Sequence, residues 1–234
     1  MLKDIPIKSP ELLKILDRWV DIPKIAGWED NVHVWCPEHN NKEAQEKWTG
    51  DGYLKKLIEV EGDRHEGFPD YMVARNFKPS DRTDKNVIHQ SFERDSNPEV
   101  REKIWREIQD INDDMMFFLG TRNNALCAYY PPGGYISWHT NWNAPGYNLI
   151  FSWSENGDGW FKARDPNTGQ IITYNDKPGW QLKAGYFGHL GERDKICYHA
   201  ASTNCNRITV SFLFSDEDMA MDLQDDVIAE ISQE

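Results

Sequence analysis

No stretch of this 234-residue chain approaches the ~20 consecutive apolar residues of a membrane-spanning helix. The opening residues, MLKDIPIKSPELLKIL, hold no continuous apolar run, so a secretory leader is not expected. Positive charge is scarce: 26 Lys and Arg stand against 39 Asp and Glu, giving a net charge of −13. A nucleic-acid binder needs a basic face to displace phosphate counterions, and no Lys/Arg run supplies one. Nucleic acid and anionic membranes are therefore not expected partners. The four cysteines, Cys36, Cys127, Cys197 and Cys205, form no CxxC pair. A chain of this length needs no disulfide staples, so they read as free thiols in a reducing compartment, and the cytoplasm is the expected location. Internal repeats and low-complexity tracts are also lacking.

What is present is enough apolar material for a core, 39% of residues, and ten Trp, nine Tyr and ten Phe. The length suits a single domain, 1–234, whose texture changes near residue 120. Residues 1–119 read as helical and irregular. Ser9-Pro10-Glu11 ahead of Leu12, Ile15, Leu16 and Trp19 predicts a capped amphipathic helix, and residues 42–60 predict another. From about 62 to 97 no period holds, which suggests long loops with short strands. The clearest helix spans 98–116, with Asn97 as N-cap, Pro98 at its first position, and Val100, Ile104, Trp105, Ile108 and Ile111 along one face. From 120 to 215 eight short apolar segments alternate with Gly, Pro, Asn and Asp: 125–130, 134–141, 147–153, 159–165, 170–175, 180–188, 195–201 and 207–214. That spacing predicts a β-sandwich or barrel, buttressed by helix 98–116. Residues 216–234 form an acidic tail of helical pattern.

In RITVSFLF (207–214) Ile208, Val210, Phe212 and Phe214 share one strand face, while Arg207, Thr209 and Ser211 share the other. A guanidinium on an inward face needs a carboxylate, from the protein as a buried ion pair or from a ligand. His199 lies eight residues earlier, across the short connection 202–206, and a hairpin pairing would put it in the same cavity. His139 and Asn141, i and i+2 in GYISWHTN, would face one way on a strand. A buried histidine is more often packing than a ligand, and His189 competes from a Gly-flanked loop. Two imidazoles with an oxygen donor at i+2 nonetheless suit Fe(II) and leave positions for a bidentate 2-oxo acid and O₂.

YYPPGGYISWHTN resembles the Tyr-x-x-Gly…His-x-Asp segment of the prolyl-4-hydroxylase-like branch of the iron(II)- and 2-oxoglutarate-dependent oxygenases. LKAGYFG (182–188) is similar to that family's Lys-x-Gly strand before the distal histidine. YHAASTNCNRITVSFLF is similar to its distal His followed by Arg-x-Ser/Thr. The likeness covers roughly residues 98–214. It implies a mainly β fold with flanking helices around a double-stranded β-helix, a jelly roll. It also implies His139 and His199 as iron ligands, Arg207 and Thr209 holding the distal carboxylate of 2-oxoglutarate, and Tyr130 beside that cosubstrate. The implied activity is hydroxylation of a C–H bond of a peptide or small molecule, with Fe(II), 2-oxoglutarate and O₂.

Asn141 departs from the family, which has an acid there. Three readings follow: an amide-oxygen ligand, a vacated position as in halogenating relatives, or a domain that binds without turnover. Asp158 is a candidate compensating acid. Outside the resemblance stands a sugar- or peptide-binding β-sandwich presenting Trp138, Trp142, Trp153, Trp160 and Trp180, residues whose usual role is core packing. Substrate and oligomeric state are not legible.

Overall fold

The structure, a computed structural model, describes residues 2–36, 40–61, 69–77, 88–90, 98–121, 123–141, 146–188, 192, 194–214 and 221–233. In chain order the elements are β1 (Lys3–Ile5), α1 (Pro10–Ile25), α2 (Val32–Trp35), α3 (Lys42–Thr49) and α4 (Asp51–Lys56), followed by a π-helical turn, Leu57–Glu61. Then come β2 (Met72–Asn76), β3 (Ile88–Gln90), α5 (Pro98–Leu119), β4 (Asn123–Tyr130), β5 (Tyr135–His139), β6 (Tyr147–Ser154) and β7 (Gly159–Arg164). The chain continues through β8 (Ile171–Asn175), β9 (Gly179–Tyr186), β10 (His199–Thr203) and β11 (Arg207–Phe214) to α6 (Met221–Ser232).

Strands β4 to β11 build two antiparallel layers. One has the order β9-β6-β11-β4, the other β5-β10-β7-β8, and β2 bridges β4 to β5. Most successive strands switch layers, which is the winding of a double-stranded β-helix, or jelly roll. The eight segments read from the sequence correspond one to one with these eight strands. The hairpin expected between His199 and Arg207 does not form. β10 pairs with β5 and β7, while β11 pairs with β4 and β6, so the turn after Thr203 carries the chain from one layer to the other. β10 also starts at His199 rather than at 195. β11 exposes neither face: Ile208, Val210, Phe212 and Phe214 enter a large core outside the barrel, and Arg207, Thr209 and Ser211 face the interior.

That outer core explains the helices. α1 begins with the Ser9 hydroxyl accepting from Leu12 N–H at 3.4 Å, and buries Leu12, Leu16, Trp19 and Ile22. α5 runs three residues beyond the predicted end and buries Ile104, Ile108, Ile111, Met115 and Leu119 against α1 and the same layer. The acidic tail joins this core: Val227 and Ile231 of α6 are buried in it, and the Ile231 carbonyl accepts from Lys8 and Ser9 N–H. The helix expected over 42–60 is broken at Gly50, whose backbone leaves no room for a Cβ (2.6 Å from the Glu46 carbonyl oxygen). Its two halves cover the other layer with Tyr53, Leu54 and Leu57 packed near Trp138. In the irregular stretch 62–97 the described residues are 69–77, which hold β2, and 88–90, which form β3; the other positions, the expected N-cap Asn97 among them, lie outside the described residues. No helix among the described residues is long and apolar enough to cross a membrane. All four cysteines are buried and unbridged.

Candidate functional site

His139 and His199 stand opposite each other as register partners on β5 and β10, with ring centroids 4.1 Å apart and planes at 53°. Simple alternation from Ile136, which faces the interior, would send His139 outward. A bulge corrects this: two steps along β10, from His199 to Ala201, face three along β5, from His139 back to Ile136. The extra residue sends Trp138 out, where it is fully buried under α3 and donates its Nε1–H to the Thr49 carbonyl, and brings His139 in. Each imidazole is 5% exposed, and His199 is flanked by Phe161 and Phe187.

The two rings are held alike. His139 Nδ1 lies 2.8 Å from the Ser137 carbonyl and His199 Nδ1 lies 3.1 Å from the Cys197 carbonyl. A carbonyl only accepts, so both Nδ1 atoms carry the proton. In the neutral ring the lone pair is then on Nε2, the arrangement second-shell bonds impose on metal-binding histidines. Among the described residues no group of three His, Cys, Asp or Glu could hold a metal. Asn141 lies two residues beyond the end of β5 and is half-buried, so its direction is not set by strand alternation as the sequence suggested. The buried Thr140 hydroxyl between it and His139 has no hydrogen-bond partner among the described residues. Asp158 is no substitute acid. It is exposed, and it bonds Asn204 by the Thr203 end of β10, four residues, about 13 Å, from His199. Two neutral imidazoles fit a dication whose charge and remaining ligands come mainly from a bound anion.

Deeper in the barrel the structure brings Arg207, Thr209 and Tyr130 together. Arg207 is 1% exposed. Its Nε donates to Asp176 Oδ2 at 2.8 Å, one Nη to the Thr209 hydroxyl and the other to the Ser152 hydroxyl at 3.1 Å. The guanidinium carbon lies 5.6 Å from the Tyr130 ring centre. Burial pushes the Tyr130 phenol up to about 12, partly offset by Arg207, so it stays neutral beside an anion. Asp176, on the turn after β8, is the residue the sequence reading missed. Its only signal was an acid between two strands, and pairing it with Arg207 requires the wound topology. Asp176 Oδ1 is buried without a hydrogen-bond partner among the described residues. A guanidinium has five N–H donors; the three bonds to Asp176, Thr209 and Ser152 leave two on the Nη atoms.

No family model matches the chain, and no curated protein does. Among solved structures, a prolyl-4-hydroxylase of Pseudomonas putida aligns over 92% of each chain at 10% identity and a TM-score of 0.38. The rice dioxygenase for auxin oxidation aligns over 88% of this chain and 70% of its own, at 13% identity and a TM-score of 0.32. Dioxygenase for auxin oxidation 1 of Arabidopsis thaliana, in its 2-oxoglutarate complex, aligns over 53% and 55%, at 13% identity and a TM-score of 0.26. At such scores the jelly-roll assignment rests on the strand order and register described above.

Of the tryptophans considered for sugar binding, Trp138 is buried, and Trp153, Trp160 and Trp180 are half-buried, with Trp180 Nε1 donating to Asp17 at 3.1 Å. Trp142 and His189 lie outside the described residues.

Proposed function

We propose that this chain is an iron(II)- and 2-oxoglutarate-dependent oxygenase that hydroxylates a C–H bond of a peptide or small molecule. The observation that carries the reading is the His139–His199 pair: two buried imidazoles brought together by a strand bulge, each with Nδ1 tied to the carbonyl two residues before it. The Arg207–Thr209–Ser152 group in the same interior is chemically suited to a carboxylate, and Tyr130 beside it is neutral. The resemblance of residues 98–214 to the prolyl-4-hydroxylase-like branch joins these two features in one chemistry.

In this reading His139 and His199 hold Fe(II), with the Asn141 amide oxygen as a weak third donor. Iron, when bound, supplies O₂ activation coupled to decarboxylation of the cosubstrate. Arg207 and Thr209 orient 2-oxoglutarate by its far carboxylate. Phe161 and Phe187 keep water from the imidazoles. The test is succinate release from 2-oxoglutarate after anaerobic Fe(II) loading, with a panel of peptides and small molecules. Wild type should release succinate in a substrate-stimulated manner, and His199→Ala should not. Equal release by both would contradict the reading. A protein that binds Fe(II) and 2-oxoglutarate yet releases none would be a binding module of the same fold.

A further inference from the structure

Lys183 is a buried cation to which the proposed function gives no role. It lies on β9 between Leu182 and Ala184, which pack into the outer core, so its side chain faces the barrel interior, and the residue is 3% exposed. Among the described residues its ion pair is long, 3.4 Å to Asp4 Oδ1, and the Asp4 side chain is 73% exposed. The Tyr174 ring lies 5.4 Å from Nζ. An ammonium has three donors and a large desolvation cost when buried. A screened surface carboxylate at that distance offsets little of it.

The register places Lys183 in the same polar group as Arg207. Across β11, β6 and β9, Ser211, Ile150 and Lys183 form one rung, and Thr209, Ser152 and Gln181 the next. Lys183 is thus the diagonal neighbour of Ser152, the hydroxyl that receives an Arg207 Nη. Burial lowers the Lys183 pKa, Asp4 and Asp176 raise it, and Arg207 lowers it further, so the two cations feel each other. The interior holds Arg207, Lys183 and the fully buried Asp176 carboxylate. Asp176 neutralises Arg207, and among the described residues one positive charge is left without a buried counter-charge of its own.

We infer that Lys183 is a ligand-binding residue. With the two remaining Nη hydrogens of Arg207 and the hydroxyls of Thr209 and Ser152, it holds a singly charged carboxylate end of the ligand inside the barrel. This deepens the oxygenase reading and takes the identity of the ligand, 2-oxoglutarate, from it. The net charge of the cluster selects a carboxylate over a doubly charged phosphate.

The test is thermal shift and calorimetry on the full chain with 2-oxoglutarate, succinate and inorganic phosphate, for wild type, Lys183→Met, Lys183→Arg and Asp4→Asn. Methionine keeps the apolar stem without the charge. Wild type and Asp4→Asn should bind 2-oxoglutarate, and Lys183→Met should bind it about tenfold or more weakly, with arginine recovering part of the loss. Without ligand, Lys183→Met should melt no lower than wild type, because an uncompensated buried charge is gone. If 2-oxoglutarate binds wild type and Lys183→Met equally, the inference falls and the oxygenase reading stands. If wild type ignores 2-oxoglutarate but binds succinate through Lys183, the oxygenase reading falls and the inference stands. Phosphate bound more tightly than either carboxylate, or no anion bound by wild type, overturns the inference.

Discussion

In the proposed site, Asn141 would decide how much of a dication's charge the protein itself balances. With each Nδ1 turned to a carbonyl, His139 and His199 would bind a metal through Nε2 as neutral donors, and an amide oxygen would add no charge. Asn141→Asp should therefore tighten Fe(II) binding, read by anaerobic titration, with little change in melting temperature because the residue is only half-buried. An Asp variant with unchanged Fe(II) affinity would remove position 141 from the metal site. The chemistry around Arg207 was legible in the sequence only in part. The Arg207–Thr209 pairing follows from alternation within one strand. The Asp176 carboxylate reaches that group from the turn after β8, and Lys183 on β9 lies beside it in register; both positions depend on long-range pairing that no local pattern encodes.

Elements with strong periodicity were read well. The stripe through Ile104, Ile108 and Ile111 gave α5, and β11 shows the alternation expected of RITVSFLF. Irregularities were not legible. The β5 bulge leaves no signature in GYISWHTN, yet without it Trp138 and His139 would exchange faces. The single helix expected over 42–60 and the early start expected for β10 also differ from the structure: Gly50 takes an extended backbone between α3 and α4, and β10 begins only at His199. Because α5 buttresses the layer that carries Arg207, Ile108→Ala should destabilise the fold by roughly 2–5 kcal/mol, seen in denaturant unfolding. A loss below about 0.5 kcal/mol would mean that α5 is not an integral part of the core, against the burial of Ile108 at 2% exposure.

At the scale of the whole molecule, helices cover both layers of a barrel whose interior sets a few polar groups among apolar side chains such as Ile136, Ile150, Phe161 and Phe187. The outer core of α1, α5 and α6 fixes one layer, α3 and α4 cover the other, and the barrel between them holds an imidazole pair and a cation cluster. In the proposed function the imidazole pair and the cation cluster bind one metal and one anion cooperatively, since His139 and His199 would bring no negative charge to the metal. Anaerobic equilibrium dialysis of Fe(II), with and without 2-oxoglutarate, measures this most directly. The expected result is about one Fe(II) per chain, bound markedly tighter when 2-oxoglutarate is present, as linkage requires, and lost in His139→Ala and in His199→Ala. Fe(II) retention that is indifferent to 2-oxoglutarate, or that survives replacement of both histidines, would contradict it.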